Sequence, residues 1–552
     1  MNNKKTEIIA FFSSEGFFRL KSEESKKKRF EDLKEAYLQE FNEELEPEIY
    51  DFLCQYDQEQ KQRRKEQQKN KELKKASLPI ASGLDNISDH IKSLPAGKYV
   101  LSCAQNNTHV NDTALNCIIN YCRHNNAKLL VARITYNKTG FCQPDINNDN
   151  ELWYDPKIKP YLVSGHIDLQ GLHFLADSNV IPTAKNPLSG FDAATQAGIH
   201  CIIPHTKIAL SVIAALKNSP TKTLASTGAL TKPNYIMRKV GAVATLEHCI
   251  GVLFVDTTDK NNIIIRQLEL MPNCDYIYDL NKQYCDNGQV IEGNFIECLQ
   301  PGDIHAEKMT DENLNNIIKL MKQLKPEKLI LHDILDFRTR NHHNIKDCTF
   351  LHGQFVQGNT VYGDLMAMTR LIDILIKHCE KIYIIESNHD QALMTWLKNE
   401  DFKKDAENAV FYLECMLAIY KHQEVWKTLD NFNILEYAYG EICNGQYYGE
   451  DPDTQEMLVN FNRVDESLII AGVEHGCHGH NGANGSKGSP QQFKKLGVAM
   501  NTGHTHSPSI HGKVYTAGVT ASLEMGYNVG ASSWSIAHIL TYKNGQRQII
   551  FS

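Results

Sequence analysis

The 552-residue sequence lacks several patterns, and each absence excludes a class of protein. No long apolar run is present, and the run from Ile8 to Phe12 is too short for a membrane helix or a secretory signal. The 15 cysteines include no Cys-x-x-Cys pair, which indicates buried or free thiols in a reducing compartment rather than a disulfide framework. Neither a phosphate-binding loop nor a dinucleotide-binding motif occurs. We therefore expect a cytoplasmic protein with no membrane partner.

An excess of positive charge is also missing. The formal net charge of -8 excludes a chain that is basic throughout, although one local patch is enough to contact phosphates. Residues 1–80 are predicted to be helical, because apolar residues recur at helical spacing between Phe30 and Leu45. From Lys61 to Lys75, eight basic residues accompany two acidic ones. This segment is interpreted either as a solvated helix or linker, or as the basic arm of a DNA-docking region.

Residues 81–294 alternate between strand and helix patterns. Buried strands are predicted at Tyr99–Cys103 and Lys128–Ala132, with a helix from Asp112 to Asn125 between them. Further strands are predicted near residues 200–203 and 250–255. This alternation predicts an α/β accessory domain.

Residues 295–552 contain the candidate metal-ligating and catalytic residues. Asp303 and His305 precede a predicted helix at 312–324 and a predicted strand at 328–331, after which Asp333 and Asp336 follow. A strand–helix–strand order brings such side chains to the C-terminal ends of neighbouring parallel strands, where open α/β sheets place their sites.

Three later stretches repeat the pattern of an apolar strand that ends in polar residues. The predicted strands are 382–386, 468–473 and 497–502, and they run into Ser387-Asn-His-Asp390, Glu474-His-Gly-Cys-His-Gly-His480 and Gly503-His-Thr-His506. We expect the polar residues of all these stretches to meet at one sheet edge. Carboxylate oxygens mixed with imidazole nitrogens suit Mn, Fe or Zn better than a thiolate-bound structural zinc.

These motifs resemble the five-part signature of calcineurin-like metallophosphoesterases. The matching stretches are Asp303-x-His305, Asp333-x-x-Asp336, Asn388-His389-Asp390, a following His-Gly, and Gly503-His504-x-His506. The sequence departs from that family at His332 and Ser387, where the family usually has Gly. Neither position supplies a ligand in the family, so the departures bear on turn geometry.

The resemblance implies an α/β fold, with a four-layer sandwich of two β-sheets flanked by helices over residues 295–552. It also implies two divalent ions, with Mn²⁺ the first expectation and Fe, Zn or Mg the alternatives. The first ion would be held by Asp303, His305, Asp333 and His506. The second would be held by Asp333, Asn388, a fourth-motif His and His504.

The fourth-motif ligand is open among His475, His478 and His480. We choose His478, because it begins the His-Gly-His-x-Gly run, and His475 is the rival nearer the strand end. His389 resembles the family's general acid. Asp336 or Asp390 is expected to orient a neighbouring imidazole.

A narrower resemblance is to large phage-encoded members, the pre-early host-DNA-degrading proteins of T-five-type phages. It rests on His332-Asp-Ile-Leu-Asp336, on the Gly-rich run after His478 and on Gly503–Pro508. Four residues after the second motif are predicted either to grip a DNA phosphate or to be solvated loop residues. They are Arg338, Arg340, His342 and His343.

Three functions are consistent with these motifs. The first is a metal-dependent nuclease that hydrolyses DNA phosphodiester bonds, an early phage protein that degrades host DNA in the host cytoplasm. The second is a phosphatase or nucleotidase acting on small phosphate esters. The third is a DNA-binding regulatory protein that keeps only the phosphoesterase scaffold. DNA is the expected partner, and a homo-oligomer is allowed.

Overall fold

A computed structural model describes residues 2–20, 22–41, 44–46, 48–76, 91–136, 152–217, 219–341, 344–430, 432–451, 456–464, 466–526 and 528–552. The chain divides into two compact units, residues 1–89 and residues 90–552. Within the described ranges, no helix combines the length and the apolar character needed to cross a bilayer.

The first unit is helical, as the sequence predicts. Its helices are α1 (Asn2–Ser14), α2 (Glu23–Phe41) and α3 (Ile49–Ala76). Apolar side chains from all three form one core, in which Phe12, Phe17 and Leu53 are fully buried. Lys26 of α2 pairs with Asp57 of α3 inside this unit. The side chains of the basic segment beyond residue 62 lie outside the described residues.

The second unit begins with an α/β region whose described residues include the helices α4 (Asp112–Asn125) and α5 (Lys239–Leu246). Its strands are β1 (Ile91–Ser93), β2 (Lys98–Gln105), β3 (Lys128–Ile134), β4 (Leu162–Val163), β5 (His166–Asp168), β6 (Leu172–Leu175), β7 (His200–Ile203), β8 (Ile208–Ile213), β9 (Lys222–Thr227), β10 (Gly251–Asp256), β11 (Ile264–Glu269), β12 (Tyr276–Asp279), β13 (Lys282–Cys285) and β14 (Val290–Glu292). The predicted helix and strands of this region are confirmed. Asn111 begins α4 by accepting a hydrogen bond from the Ala114 amide, which satisfies an otherwise unpaired donor of the first turn.

The described residues of the rest of the unit form seven further α-helices. They are α6 (Asp311–Leu324), α7 (Cys348–Gln357), α8 (Val361–Leu375), α9 (Gln391–Asn399), α10 (Ala409–Trp426), α11 (Ile434–Tyr437) and α12 (Pro490–Phe493). Its strands are β15 (Ile296–Gln300), β16 (Lys328–His332), β17 (Lys381–Ile385), β18 (Val459–Asn462), β19 (Ile469–Ile470), β20 (Val473–Glu474), β21 (Met500–Thr502), β22 (Ser509–His511), β23 (Val514–Thr516), β24 (Ala537–Tyr542) and β25 (Arg547–Phe551).

Four sheets connect these strands. A six-stranded sheet has the order β18-β17-β16-β15-β24-β25, and an eleven-stranded sheet has the order β1-β5-β6-β7-β9-β8-β22-β23-β21-β20-β19. A five-stranded sheet (β11-β10-β2-β3-β4) and a three-stranded sheet (β12-β13-β14) complete the unit. The eleven-stranded sheet contains strands from both sides of residue 294, because β22 pairs antiparallel with β8. The fold is therefore mixed α/β, as predicted, and the boundary at residue 294 stays a prediction.

One face of the six-stranded sheet is covered by helices. Side chains of α6, α8, α9 and α10 pack on β15, β16 and β17 in a single apolar core that includes the fully buried Leu329, Leu365 and Leu393. On the opposite face, Ile330 and Ile385 contact Ile470 of the eleven-stranded sheet. The two largest sheets thus pack face to face at this point, and burial of such surfaces is the main stabilising term.

Two strand predictions are wrong in detail. The apolar run 468–473 is not one strand but a tight hairpin of β19 and β20, because Ala471 and Gly472 both have left-handed backbone, at φ 50° and 76°. The run 497–502 contributes β21 only from Met500 onward. Gly497, with φ 76°, first ends the preceding helical turn.

Candidate metal centre

The first three motifs follow neighbouring parallel strands, as predicted. β15, β16 and β17 pair parallel to one another, and Asp303, Asp333 and Asn388 come directly after their C-terminal ends. Backbone hydrogen bonds hold the motifs in register: the His305 amide donates to the Asp333 carbonyl oxygen at 2.7 Å. The Leu335 amide donates to Asp390 Oδ1 at 3.1 Å.

The last two motifs come from the other sheet. β20 and β21 belong to the eleven-stranded sheet, and His478 and His504 follow them. The Gly503 amide donates to the His478 carbonyl oxygen at 2.8 Å, and the His504 amide donates to Asp303 Oδ2 at 2.7 Å. The expectation that all motifs meet at one sheet edge is therefore corrected, since the site lies where strand ends of two sheets meet.

A first group of four predicted ligands converges. His506 Nε2 lies 3.0 Å from His305 Nε2, 3.3 Å from Asp303 Oδ2 and 3.9 Å from Asp333 Oδ2. His305 Nε2 lies 3.6 Å from Asp333 Oδ2. Two nitrogens that each bind one ion at about 2.1 Å stand about 3.0 Å apart when the bonds are perpendicular. These separations would allow the four residues to bind one cation.

A second group surrounds the other side of Asp333. His478 Nε2 lies 3.3 Å from Asp333 Oδ2, and His478, Asp303 and Asp333 form a buried trio whose ligand atoms are within 4.8 Å of one another. The His504 ring centre lies 5.2 Å from that of His478. Asn388, half-buried, presents a side-chain oxygen that is shielded from solvent. Asp333 thus contacts both groups, which is the position predicted for a shared ligand.

The three candidates for the fourth-motif ligand lie in different surroundings. His478 contacts Asp333, whereas His475 Nε2 lies 3.7 Å from Cys298 Sγ in the apolar contact between the sheets. His480 is a neighbour of His478 and His504, with ring centres 5.4 Å and 6.1 Å away. Of the three, His478 is the one whose ring nitrogen lies within 4 Å of a predicted ligand carboxylate.

Unpaired polar atoms test whether these residues fit a cation. Within the described ranges, Asp303 Oδ1, Asp333 Oδ1 and Asn388 Oδ1 are shielded from solvent and have no hydrogen-bond partner. Buried acceptors are almost always paired, because leaving one unpaired costs about 1–3 kcal/mol. Three unpaired oxygens beside three imidazoles form a mixed O/N donor set that suits Mn, Fe or Zn. The residues therefore fit divalent metal ions.

The backbone at these residues is unusual. His305, Asp333, His504 and His506 all have left-handed backbone, with φ between 44° and 73°. Each such non-glycine residue costs on the order of 1 kcal/mol or more and persists only when its surroundings enforce it. The sheets and the hydrogen bonds between motifs hold this backbone conformation at four of the predicted ligands.

Gly503 is required by close packing. A Cβ atom added at this position would lie 2.1 Å from Asp303 Oδ1 and 3.3 Å from the Cβ of His332. Only glycine leaves room for the carboxylate of the first motif against the fifth-motif backbone.

His389 lies beside the first group and is held by Asp336. His389 Nδ1 donates to the Asp336 carbonyl oxygen at 2.8 Å and lies 3.7 Å from Asp336 Oδ1, which also lies 3.5 Å from His305 Nδ1. Asp390 instead accepts backbone hydrogen bonds from Leu335 and Ser387. Asp336 is therefore the carboxylate that faces the imidazoles, and Asp390 supports the loop backbone.

The buried carboxylates and imidazoles of the cluster shift one another's pKa values. Burial alone would raise the pKa of the Asp333 carboxyl, but the His478 and His389 imidazoles outweigh it and hold that pKa well below its usual range. Burial opposes protonation of His506, yet hydrogen bonds with Asp303 and Asp333 raise its pKa to about 9. Asp303 and Asp333 thus create a negative potential that favours positive charge among the ligands.

His332 stands where the resembled family has glycine, and the motif comparison gives it no role. Its side chain is fully buried, and its Nδ1 lies 3.4 Å from Nδ1 of His478, the nitrogen on the far side of that ring from Asp333. An imidazole that offers Nε2 to a cation carries its proton on Nδ1 and needs an acceptor there. His332 therefore occupies the position that fixes the tautomer and orientation of His478.

The two described residues among the four predicted substrate contacts have other partners. Arg340 is buried and pairs with Asp405 at 2.7 Å and 3.0 Å and with Glu407 at 3.6 Å. The Arg338 side chain donates to the Met525 carbonyl oxygen and lies over the Phe350 ring. Arg340 is thus corrected from a phosphate contact to a structural ion pair, because its guanidinium is occupied. His342 and His343 lie outside the described residues.

Fold and site together define an α/β protein with a buried His/Asp cluster able to bind metal ions. No protein-family model matches the chain, and no solved structure matches it. The chain is 36% identical over 494 residues to Protein A1 of Escherichia phage T5, a match covering 87% of this chain and 86% of that protein. The chain therefore belongs to the family of the phage T5 A1 protein.

Proposed function

We propose that this protein is a metal-dependent nuclease that hydrolyses DNA phosphodiester bonds, encoded by a phage and directed at host DNA. The convergence of Asp303, His305, Asp333, His478 and His506 carries the proposal. Its phage origin is supported by the relationship to the T5 protein, whose name describes no activity.

The proposed fold of residues 295–552 is the metallophosphoesterase sandwich. Two features support it: helices on one face of the six-stranded sheet, and strands of the second sheet on the other. The five motifs at strand ends of these two sheets then form one site, as the family resemblance implies.

Asp303, His305, Asp333 and His506 would hold one divalent ion, and Asp333, Asn388, His478 and His504 a second. We expect Mn²⁺, with Fe, Zn and Mg as alternatives. Such a pair supplies charge neutralisation of the phosphate and activation of water when bound. Asp333 is suited to bridging, because its carboxylate has two oxygens and contacts both groups.

His389 is the proposed proton donor. Its Nδ1 proton is directed at the Asp336 carbonyl oxygen, so Nε2 is the ring atom that delivers a proton to the departing sugar oxygen. Burial disfavours protonation of His389, but the carboxylates of Asp333 and Asp336 outweigh it and raise its pKa. Asp336 fixes this ring from one side and that of His305 from the other.

DNA is favoured over small phosphate esters by the length of the chain and by its N-terminal segment with eight basic residues between Lys61 and Lys75. Small esters need no such segment. A chain that only binds DNA would not need a set of unpaired ligand oxygens in a buried pocket.

The test uses the full chain with Mn²⁺ and three substrates: linear DNA, covalently closed circular DNA and a generic phosphomonoester. We expect DNA cleavage that chelation abolishes. Asp333→Asn should abolish it, and His389→Gln should slow it by about 10²–10⁴-fold. Asp311→Asn and His352→Gln, at exposed positions on α6 and α7, are matched controls that should cleave like the parent.

Hydrolysis of the monoester alone would identify a phosphatase, and DNA binding without cleavage would identify a regulatory protein. Cleavage unchanged in both Asp333→Asn and His389→Gln would show that the activity belongs to another site.

A further inference from the structure

Helix α10 exposes an apolar stripe. Val410, Leu413, Leu417 and Tyr420, here called the α10 stripe, are 71%, 48%, 54% and 56% exposed. The opposite side of the helix is buried in the core of the six-stranded sheet through Phe411, Tyr412, Cys415, Ala418 and Ile419. This helix is therefore apolar on both faces, although it lies at the surface.

The spacing of the stripe matches helix pairing. Steps of three, four and three residues place the four side chains within a sector of about 80° on a helix of 3.6 residues per turn. Alternating steps of three and four are the a/d pattern of helices that pack along one another. A surface that only contacts solvent has no reason to keep that pattern.

Further exposed apolar side chains lie on α8, whose start is joined to the start of α10, and at the end of α7. The Val361 amide donates to Asn408 Oδ1 at 2.8 Å, which joins the start of α8 to the start of α10. The Tyr362 ring, itself 43% exposed, lies 6.2 Å from that of Phe411. Phe355 and Val356, at the end of the preceding helix α7, are 62% and 69% exposed.

The size of this surface suits a protein interface. With roughly 150–220 Å² for each such residue when fully exposed, the seven residues leave on the order of 700 Å² uncovered. Monomeric proteins rarely expose apolar patches above about 300–600 Å². The four stripe residues account for somewhat more than about 400 Å² of this, so two stripes facing each other bury about 900 Å², an area typical of weak or transient interfaces.

The stripe is symmetric about residue 415. In an antiparallel pair of α10 helices related by a two-fold axis at that position, Val410 of one copy faces Tyr420 of the other, and Leu413 faces Leu417. The flanking charges meet uncharged residues, since Glu414 faces Met416 and Lys421 faces Ala409. A two-fold interface requires this self-complementarity, in which residue i contacts j and j contacts i.

We propose that the α10 stripe pairs antiparallel with the same stripe of a second copy of this chain. The occupant is the chain itself, because the pattern is complementary to its own reverse. This pairing does not depend on the proposed nuclease activity.

The test measures the mass of the full-length protein by sedimentation between about 0.5 and 100 µM. We expect a dimer, or a larger assembly containing this contact. Leu413→Glu and Leu417→Lys, each alone, should halve the assembled mass, because each places two charges in the apolar contact. Leu246→Glu, at a 79% exposed position on α5, is the matched control and should associate like the parent.

Mixing the two variants tests the register. Antiparallel pairing about residue 415 sets the glutamate introduced by Leu413→Glu in one copy against the lysine introduced by Leu417→Lys in the other, so the mixture should recover the parent mass. A parent protein that is monomeric at 100 µM would overturn the proposal, and so would variants that associate like the parent. Failure of the mixture to recover mass, with both variants folded by circular dichroism, would overturn the antiparallel register.

Discussion

Replacing His332 tests whether a residue that is not itself a predicted ligand contributes to metal binding by orienting His478. In this chain a buried imidazole stands where the resembled family has glycine, with its Nδ1 3.4 Å from Nδ1 of His478. If it accepts the His478 proton, it orients the ring that offers Nε2 to a cation. His332→Leu removes that acceptor with little change in volume, and His332→Asn keeps an acceptor near the same point.

The expected effect is on metal binding. Partners that orient a ligating histidine are worth about 10–100-fold in metal affinity, or about 1.4–2.7 kcal/mol. We expect His332→Leu to weaken one of two Mn²⁺ sites by that factor. His332→Asn should remain within about fivefold of the parent, because the hydrogen bond to His478 survives.

The assay is calorimetric titration of metal-stripped protein with Mn²⁺, with thermal unfolding in chelator as the check on folding. Equal affinity in His332→Leu and the parent would refute the reasoning. Equal losses in the leucine and asparagine variants would also refute it, because the effect would then come from packing and not from the hydrogen bond.

Three further expectations follow from the same structure. Gly503→Ala should abolish Mn²⁺ binding at the first group, because its Cβ would lie 2.1 Å from Asp303 Oδ1; calorimetry measures this. Adding Mn²⁺ at 100 times its dissociation constant should stabilise the parent by about 2.7 kcal/mol in thermal unfolding, and not Asp333→Asn. Burial would raise the pKa of Asp57, but hydrogen bonds with Lys26 and Lys61 lower it overall. The ion pairs of Asp57 with Lys26 and Lys61 therefore stabilise the folded protein fully above about pH 4, the pKa of an aspartate in the unfolded chain. This stabilisation is lost as the pH falls below that value. Hydrogen exchange of α2 and α3 in the parent and in Asp57→Asn should differ at pH 7 by about 1.5–3 kcal/mol, and the difference should shrink as the pH falls through the lowered pKa of Asp57.

The local sequence pattern predicted the parallel strands and the strand ends that carry the predicted ligands. Helix α4 has the predicted bounds, and α6 differs from its prediction by one residue, because their apolar spacing and caps are both written in the sequence. The first three motifs follow from this, since a parallel strand delivers its next residues to one edge.

Features that depend on tertiary packing cannot be predicted from the local sequence pattern. The run 468–473 has the composition of one strand, and only the positive φ of Ala471 and Gly472 divides it into a hairpin. Arg340 has the chemistry of a phosphate contact, but Asp405, 65 residues later, occupies its guanidinium. The His-Gly-His-x-Gly run favours His478 over His475 through the family resemblance alone. In the fold, His475 lies beside Cys298 between the sheets and His478 lies beside Asp333, a difference set by packing.

The sheet order gives residues 81–294 a role that motif comparison does not suggest. β20 and β21, which carry the fourth and fifth motifs, join the middle region through β23 and β22, and β22 pairs with β8 by the register Ile510–Leu210. β20 and β21 are two and three residues long, too short to hold a fixed position alone. The left-handed backbone at His504 and His506 requires firm surroundings, and those surroundings are continuous with β8 and β9. A chain beginning at residue 295 would keep every predicted ligand yet lack the strands that continue the sheet beyond His478, His504 and His506. Part of the geometry of the candidate metal centre therefore depends on a region outside the five motifs.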